Sequence, residues 1–240
     1  MRIHLTAAFV CMYSTFVRLR FSSMMPLLKK IDRLFFGRLI DSYPWLLERE
    51  ILPSCESLLD VGCGSLSPIY PFSSKINYTM GVDGFAPSIE KSKALHIHND
   101  YTLMNILELD KHFEPKSYDC VIASDLIEHL HKKDGLKLLE NMERIARKKV
   151  IVFTPNGFLP QSEYDGNVYQ IHHSGWEIGE MQKFGYKVIG VGGWKPLRGE
   201  RSEPRWKPTP LWARISFLTQ PFTTKNPKHA FQILCVKDMR

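Results

Sequence analysis

The chain has 240 residues, of which 44% are hydrophobic and 24% charged, and this composition excludes collagen-like, low-complexity and wholly disordered proteins. A chain of this length buries roughly 70–75% of the surface that its unfolded form exposes, so one substantial core is expected. The formal net charge of +7 is concentrated in 1–40 and 195–240, whereas 41–194 is net acidic. The basic flanks predict contact with an anionic surface or substrate, although a role in solubility explains them equally well.

Residues 5–17 are largely apolar and have arginines on both sides. The stretch is shorter than the roughly 20 residues that a transmembrane helix needs, and no small-residue cleavage site follows it. We therefore expect an interfacial or packed helix, unless 1–23 precede the true start of the protein. The five cysteines form no CxxC pair, which predicts reduced thiols and a cytoplasmic location, with peripheral membrane contact as an option.

Hydrophobic periodicity predicts alternating helices and strands along the chain. Two helices, over 27–39 and 44–51, precede the first strand. The predicted order is then strand 58–61, a short helix near 68–74, strand 76–82, helix 87–95, strand 101–105 and strand 118–123. An amphipathic helix over 135–147, capped by Asp134, leads into a buried strand over 149–153. This alternation predicts an α/β fold with a parallel, doubly wound sheet.

The last third of the chain begins with the S-x-x-E spacing of a capping box at Ser174–Glu177, which predicts a helix that Gly185 ends. Strands over 186–191 and 230–236 follow, joined by the long basic connection 195–229. Loops of this length are normally functional or disordered, so we expect a partly ordered lid or binding flap. The predicted organisation is a helical extension over 1–54, a cofactor-binding core over 55–194, and a basic aromatic flap with the final strand over 195–240.

The most informative motif lies at the end of the first strand, where Asp60 is followed by the turn Gly62-Cys63-Gly64. Glycines in such a turn allow backbone N–H groups to approach a ligand closely. A carboxylate at the end of a buried strand costs several kcal/mol unless a partner satisfies it, which favours a ligand or an N–H cluster there. The second strand ends in Asp83, the position at which a carboxylate meets ribose hydroxyls. Together these features predict a nucleotide-type cofactor site.

Four segments make the chain resemble the class I S-adenosylmethionine-dependent methyltransferases, specifically the type 11 group. They are Leu59–Gly64, Gly81–Asp83, Tyr118–Ile122 leading to Ile127–Leu130, and Thr154–Gly157. The resemblance covers about 55–195. It implies S-adenosyl-L-methionine as the cofactor and a Rossmann-like sheet of seven mostly parallel strands, with helices on both faces and an antiparallel last strand. It also implies in-line transfer of the methyl group to an oxygen or nitrogen acceptor.

The resemblance further implies cofactor contacts at the ends of the first four strands. The positions are Asp60, Gly62, Cys63, Gly64 and Ser65 for the methionine half, Asp83 with Gly84 for the ribose, Asn105 with Ile106 for the adenine, and Ser124 with Asp125 for the methyl-bearing face. The chain departs from the family at Asn105, where aspartate is more common, and at Leu66, where many members have a third glycine. The turn beyond Gly64 is therefore expected to differ in detail.

Glu128 and His129 are the candidate catalytic residues. His129 suits either a general base near neutral pH or a packed histidine. His131 does not complete an H-E-x-x-H motif, so the sequence predicts no metal site. His172 and His173 lie in a polar loop and suit either substrate contact or local hydrogen bonding.

The chemical alternatives are narrowed by missing motifs. Ser67 stands where a nicotinamide-binding turn has its third glycine, which disfavours a dehydrogenase. The run Ser124–Ile127 lacks the sequence of amino-directed DNA methyltransferases, and no cysteine follows a proline as a cytosine-C5 enzyme requires. The expected acceptor is a small molecule or a sugar or lipid intermediate, and nucleic acid is disfavoured. The alternative is a non-catalytic module that binds nucleic acid or a membrane surface through the flap, with a vestigial cofactor site.

Overall fold

A seven-stranded sheet organises the residues that the computed structural model describes, which are 42–162, 170–199 and 202–239. The strands are β1 (Ser57–Val61), β2 (Tyr78–Asp83), β3 (Asp100–Leu103), β4 (Tyr118–Ser124), β5 (Ala146–Pro155), β6 (Lys187–Trp194) and β7 (Ala230–Asp238). Their order is β3-β2-β1-β4-β5-β7-β6. The pairings among β1 to β5 are parallel, and β7 is antiparallel to both β5 and β6. The predicted Rossmann-like sheet with an antiparallel last strand is confirmed.

Helices connect these strands. They are α1 (Tyr43–Ile51), α2 (Ala86–Ala94), α3 (Leu109–His112), α4 (Lys132–Ile145), α5 (Ile178–Lys183), α6 (Thr209–Leu218) and α7 (Gln220–Lys225). The predictions for α1 and α2 are confirmed to within a residue, whereas α3 was not predicted. The helix predicted over 27–39 and the apolar stretch 5–17 lie outside the described residues. In the described ranges, no helix is long and apolar enough to cross a membrane.

Three predicted helix starts are wrong. The region near 68–74 forms only a 3₁₀ turn at its end, Ser73–Lys75, because Pro68 and Pro71 restrict the backbone before it. Helix α4 begins at Lys132, so Asp134 lies in its first turn and is not its cap. The capping box at Ser174 does not form, because the Ser174 hydroxyl donates instead to the carbonyl oxygen of Ile127 at 3.2 Å. Helix α5 begins only at Ile178.

The core lies on both faces of the sheet, as expected for parallel strands covered on each side. Neighbouring residues along one strand point to opposite faces, so that Leu59 and Val121 join the core beneath α4, while Leu58 and Ile122 join the core beneath α1. All four side chains are buried. This packing fixes where the strands end, and therefore where the polar residues that follow them are placed.

The connection between β6 and β7 contains the two helices α6 and α7. These helices pack directly on the backbone of β6 at two glycines. A Cβ atom on Gly190 would lie 2.0 Å from the carbonyl oxygen of Thr223, and one on Gly193 would lie 2.1 Å from that of Ser216. Neither strand position can accept a side chain unless a helix moves.

We expect Gly190→Ala to lower the free energy of unfolding by about 3 kcal/mol, the upper part of the range for an overpacked site. Urea denaturation of the two proteins measures this difference. The control is Gly179→Ala in α5, where a Cβ atom would meet nothing within 4 Å, and this substitution should leave stability unchanged or raise it by up to about 1 kcal/mol. Equal effects of the two substitutions would contradict the close packing of α7 on β6.

Candidate active site

The turn after β1 is fastened to the end of β2 by its backbone. The N–H groups of Gly62 and Cys63 both donate to the carbonyl oxygen of Val82, at 2.8 and 3.0 Å. The next N–H group, of Gly64, donates to Oδ2 of Asp83 at 2.9 Å. These three donors therefore hold β1 and β2 together at their carboxyl ends, and do not point freely at a ligand as the motif alone suggested.

The shape of the same turn requires glycine at both of its glycine positions. Gly62 and Gly64 have φ values of +68° and +59°, in the left-handed region that side chains disfavour. A Cβ atom on Gly62 would also lie 2.6 Å from Cδ1 of Leu126, whereas one on Gly64 would meet no described atom within 4 Å. The turn is thus packed from below and open above Gly64, which leaves space for a ligand next to Ser65.

Asp83 presents a fixed carboxylate at the end of β2. Its Oδ2 accepts from Gly64 and its Oδ1 accepts from the N–H of Phe85 at 2.8 Å. The side chain is only partly buried, and burial raises its pKa against the lowering effect of the two N–H bonds. A carboxylate has about four lone-pair sites, so each oxygen can still accept a further hydrogen bond. The geometry fits a pair of ribose hydroxyl donors.

Asp60 lies buried beneath the turn. Its Oδ2 accepts from the hydroxyl of Ser67 and lies 3.0 Å from Nε2 of His98, whose side chain is fully buried. Its Oδ1 is buried without a hydrogen-bond partner among the described residues. That oxygen fits a cationic or N–H group of a ligand. His98 is not among the predicted site residues, because no motif marks a histidine between α2 and β3 as the partner of a residue in β1.

Asn105 and its neighbours lie beside Asp83. The N–H of Met104 donates to the backbone oxygen of Asp83 at 3.0 Å, which places the end of β3 against the end of β2. The side-chain oxygen of Asn105 accepts from the N–H of Leu107 at 3.1 Å and so caps the 3₁₀ turn that begins at Ile106. Asn105 is exposed and Ile106 is half-buried. The oxygen of Asn105 is thus already engaged locally.

The end of β4 is covered from two directions. The hydroxyls of Ser124 and Tyr43 are 2.6 Å apart, and the Tyr43 ring from α1 stacks on Phe153 with 3.7 Å between ring centroids. Asp125 has a φ of +48° and accepts from Nε2 of Gln232 in β7 at 3.2 Å. Burial raises the pKa of Asp125 to about 7. Tyr43, which the sequence analysis missed, therefore contributes a phenol to this edge.

Glu128, His129 and His172 form a cluster beside Asp125. A carboxylate oxygen of Glu128 and one ring nitrogen from each histidine all lie within 4.8 Å of one another. Glu128 is buried and its Oε2 accepts from the hydroxyl of Thr154 at 2.9 Å. The pKa of Glu128 is raised well above its ordinary value, mainly by burial and to a smaller extent by the nearby carboxylate of Asp125. We call these three residues the Glu-His-His cluster.

The two histidines of the cluster are oriented by backbone carbonyls. Nδ1 of His129 lies 3.2 Å from the oxygen of Ile171, and Nδ1 of His172 lies 2.7 Å from the oxygen of Leu159. A carbonyl oxygen only accepts, so each Nδ1 that makes this contact carries a proton, and His129 also interacts with the backbone of Asp125. Burial lowers the pKa of His129 to about 4 and also lowers that of His172. Both rings are therefore neutral at pH 7.

The loop that carries His172 is tied to the segment that carries Glu128. The N–H groups of His173 and Ser174 donate to the Glu128 carbonyl oxygen at 2.9 and 3.1 Å. Buried Trp176 anchors the loop further, because Gly135 of α4 leaves room for its ring: a Cβ atom there would lie 2.5 Å from Trp176 Cζ2. These contacts join positions far apart in sequence, which explains why spacing gave no sign of the cluster.

The remaining histidines predicted near the site lie outside the cluster. The rings of His131 and His173 contact each other, with 4.5 Å between centroids. The polar residues Tyr164, Asp165, Asn167 and Tyr169, which the sequence analysis placed in the same loop, lie outside the described residues.

Comparison with known proteins identifies the class. Residues 59–154 match a sequence family described as a methyltransferase domain. The chain is 28% identical over 177 residues to a small RNA 2'-O-methyltransferase of Tetrahymena thermophila, an alignment that covers 58% of this chain and 41% of the relative. The chain thus spans about two fifths of the length of that curated relative.

Solved structures share the fold. The methyltransferase domain of the bacterial protein CtHen1 has a TM-score of 0.51 at 14% identity, covering 87% of this chain and 98% of that one. An S-adenosylmethionine-dependent methyltransferase from Archaeoglobus fulgidus has a TM-score of 0.51 at 15% identity, covering 85% and 98%. The fold and the sequence match define a Rossmann-like methyltransferase. Residues 59–154 match the model of the type 11 methyltransferases, and this match, with the shared fold, gives S-adenosylmethionine as the cofactor.

Proposed function

We propose that this chain is a class I methyltransferase that methylates a hydroxyl oxygen on a sugar unit. The observation that carries the proposal is the Glu-His-His cluster that follows β4, in which Glu128 and His172 are buried and His129 is half-buried, beside the predicted methyl-bearing face. A hydroxyl is a weak nucleophile and loses its proton as it accepts a methyl group, so a base or a Lewis acid at this position accelerates the transfer. The named activity of the Tetrahymena relative, on a ribose hydroxyl, supports the same chemistry.

We propose that the cofactor contacts follow the geometry around the turn. Asp83 accepts hydrogen bonds from the two ribose hydroxyls, and the partnerless Oδ1 of Asp60 accepts from the amino group of the methionine part. Gly62, Cys63, Gly64 and Ser65 shape the space for that part. Bound S-adenosylmethionine supplies an electrophilic methyl group on a sulfonium. The residues of the chain contribute by aligning this group with the acceptor, and such positioning is worth about 7–11 kcal/mol in favourable cases.

The remaining contacts complete the proposed site. Asn105 and Ile106, with Gly84 beside them, border the adenine, and Ser124 and Asp125 line the methyl-bearing side. Because the side-chain oxygen of Asn105 already accepts a hydrogen bond from Leu107, its amide nitrogen is the group that can donate to the adenine.

We further propose that the Glu-His-His cluster holds a divalent cation that binds the acceptor hydroxyl. Two neutral imidazole nitrogens and one carboxylate form a common ligand set, and each histidine already donates its other N–H to a backbone carbonyl, as metal-bound histidines do. The side-chain bonds that Asp125 and Glu128 accept come from neutral Gln232 and Thr154, so a cation would also compensate the buried carboxyl group of Glu128 and the half-buried one of Asp125. A bound cation lowers the pKa of a hydroxyl that it contacts.

The acceptor class is tested with purified protein and S-adenosylmethionine labelled in its methyl group. The acceptors are nucleosides and free sugars, a lipid-linked sugar, and a short RNA. We expect label on a sugar hydroxyl, recovered as an ether that resists mild alkali, and activity that EDTA removes and Mn²⁺ restores. Alkali-labile label would identify a carboxyl acceptor, and label on a nitrogen would identify an amine; either result would contradict the proposal. Failure to bind either S-adenosylmethionine or S-adenosylhomocysteine would favour the non-catalytic alternative.

A further inference from the structure

Helices α6 and α7 bury three polar side chains and expose three large apolar ones. Ser216, Gln220 and Thr223 are buried against β6. The outward side chains include Leu218 and Phe222, which are 69% and 54% exposed. A surface helix of a water-soluble domain normally has the opposite arrangement. The outer apolar face is therefore an unusual feature of this connection.

The inward polar contacts fix this orientation. The side chain of Gln220 donates through Nε2 to the Gly190 carbonyl oxygen and accepts through Oε1 from the Gly193 N–H, both at 3.0 Å. The hydroxyl of Ser216 accepts from Nε of Arg198 at 2.9 Å. Because the helices also touch the strand backbone at its glycines, they cannot rotate to bury their leucines. The apolar face remains on the outside.

Basic residues accompany the exposed apolar side chains. Leu211, Arg214 and Leu218 are all exposed and lie three and then four positions apart, along one face of α6. Exposed Lys225 and Lys228 follow Phe222. Over 195–229, basic residues clearly outnumber acidic ones. The surface thus combines apolar tips with positive charge, and we call it the α6–α7 face.

We propose that the α6–α7 face binds the surface of an anionic lipid bilayer. Aliphatic tips such as Leu211 and Leu218 gain free energy by entering the hydrocarbon boundary, while lysines and arginines beside them meet anionic headgroups. Single-stranded nucleic acid also attracts positive charge, but it is recognised through a series of aromatic side chains on which successive bases stack, whereas Phe222 is the one aromatic ring among the three apolar tips of this face. The mixture therefore favours a bilayer over RNA.

The position of the face relates it to the site. Strand β6 runs parallel to β5, so the connection starts at the carboxyl edge of the sheet. Asn156, just after β5, donates through Nδ2 to the Ala230 carbonyl oxygen at 2.9 Å, and Lys195 donates to the Asn156 carbonyl oxygen. The connection therefore leaves and re-enters the sheet next to the end of β5. A methyl acceptor anchored in the bilayer would approach the edge that carries the Glu-His-His cluster.

Sedimentation with vesicles tests this proposal. We expect the whole chain to pellet with vesicles of phosphatidylcholine containing about 30% phosphatidylglycerol, and not with pure phosphatidylcholine. Leu218→Glu/Phe222→Glu should weaken this binding at least about tenfold, because it removes the apolar tips and adds negative charge. Lys225→Glu/Lys228→Glu should weaken it by a similar factor through charge alone. Leu95→Glu, at an exposed leucine after α2, is the matched control and should bind like the original protein.

Three readouts decide against the proposal. Equal binding to neutral and anionic vesicles, or none to either, overturns it. Concentration-dependent dimerisation that Leu218→Glu/Phe222→Glu abolishes, without vesicle binding, assigns the face to a second copy of the chain. Binding of a single-stranded RNA that the same variant abolishes, again without vesicle binding, assigns it to nucleic acid. S-adenosylhomocysteine binding by each variant, measured in parallel, shows that the fold is intact and separates this result from any failure of the proposed function.

Discussion

Replacing Asp83 with alanine is expected to weaken S-adenosylhomocysteine binding at least about 100-fold. The proposed ribose contact consists of two hydrogen bonds to one carboxylate, and bonds to charged groups contribute about 1.5–3 kcal/mol each. The substitution also leaves the N–H groups of Gly64 and Phe85 without their acceptor, which loosens the turn. Isothermal titration calorimetry measures the change directly.

A modified ligand separates ribose recognition from loosening of the turn. The original protein should prefer S-adenosylhomocysteine over its 2',3'-dideoxy analogue by a similar factor, whereas Asp83→Ala should bind both equally weakly. Asp83→Asn should be nearly as damaging, because one of the two N–H groups would then face an amide NH₂. Asp110→Ala, at an exposed aspartate of α3, is the control and should change nothing. An unchanged preference for the ribose hydroxyls in Asp83→Ala would refute the assignment.

Replacing Glu128 with glutamine is expected to lower the rate of methyl transfer roughly 10²–10⁴-fold, the range over which a positioned acid–base group contributes. Glutamine keeps the shape of the side chain, and its amide oxygen can still accept from Thr154. The change therefore removes the ionisable carboxyl group and its role as a cation ligand, with little effect on packing. Affinity for S-adenosylhomocysteine should remain within about twofold, because the cofactor turn lies at a different strand end.

Calorimetry with Mn²⁺ distinguishes a cation site from a base. If the cluster holds a cation, Glu128→Gln and His172→Ala should both lose Mn²⁺ binding, whereas Glu177→Gln, at an exposed glutamate nearby, should retain it. If His129 acts as a base without metal, the original protein will not bind Mn²⁺ and only His129 substitutions will reduce the rate strongly. Full activity of Glu128→Gln would exclude both roles for this residue.

The fold could be predicted from the sequence because its signals are local. Buried parallel strands are continuous apolar runs, and Gly185, with a φ of +88°, ends α5 where the glycine signal predicted an end. The errors arose where a distant residue competes for a local group. Ser174 has the sequence of a helix cap, but its hydroxyl bonds the Ile127 carbonyl in a different part of the chain. No local pattern could indicate that preference.

The residues of the candidate site likewise fall into those that local sequence identifies and those that only tertiary contacts bring in. Asp60, the turn from Gly62 to Gly64, and Asp83 could be identified because each follows its own strand at a characteristic position. The pairing of Asp60 with His98, the phenol of Tyr43 at Ser124 and the approach of His172 to Glu128 depend on tertiary packing. A sequence reading could name His129 and His172 separately. Only the folded chain brings one ring nitrogen of each close to the carboxylate of Glu128.

The placement of β7 has a consequence for how the protein reaches this state. Among the described strands, β6 pairs only with β7, which itself inserts between β6 and β5. During synthesis β6 emerges first, and it has no partner in the sheet until 230–238 have left the ribosome. Until then β5 is an unprotected edge, open to pairing with another chain. We therefore expect assembly of the sheet to finish only after β7 is released, and nascent chains that stop short of it to aggregate.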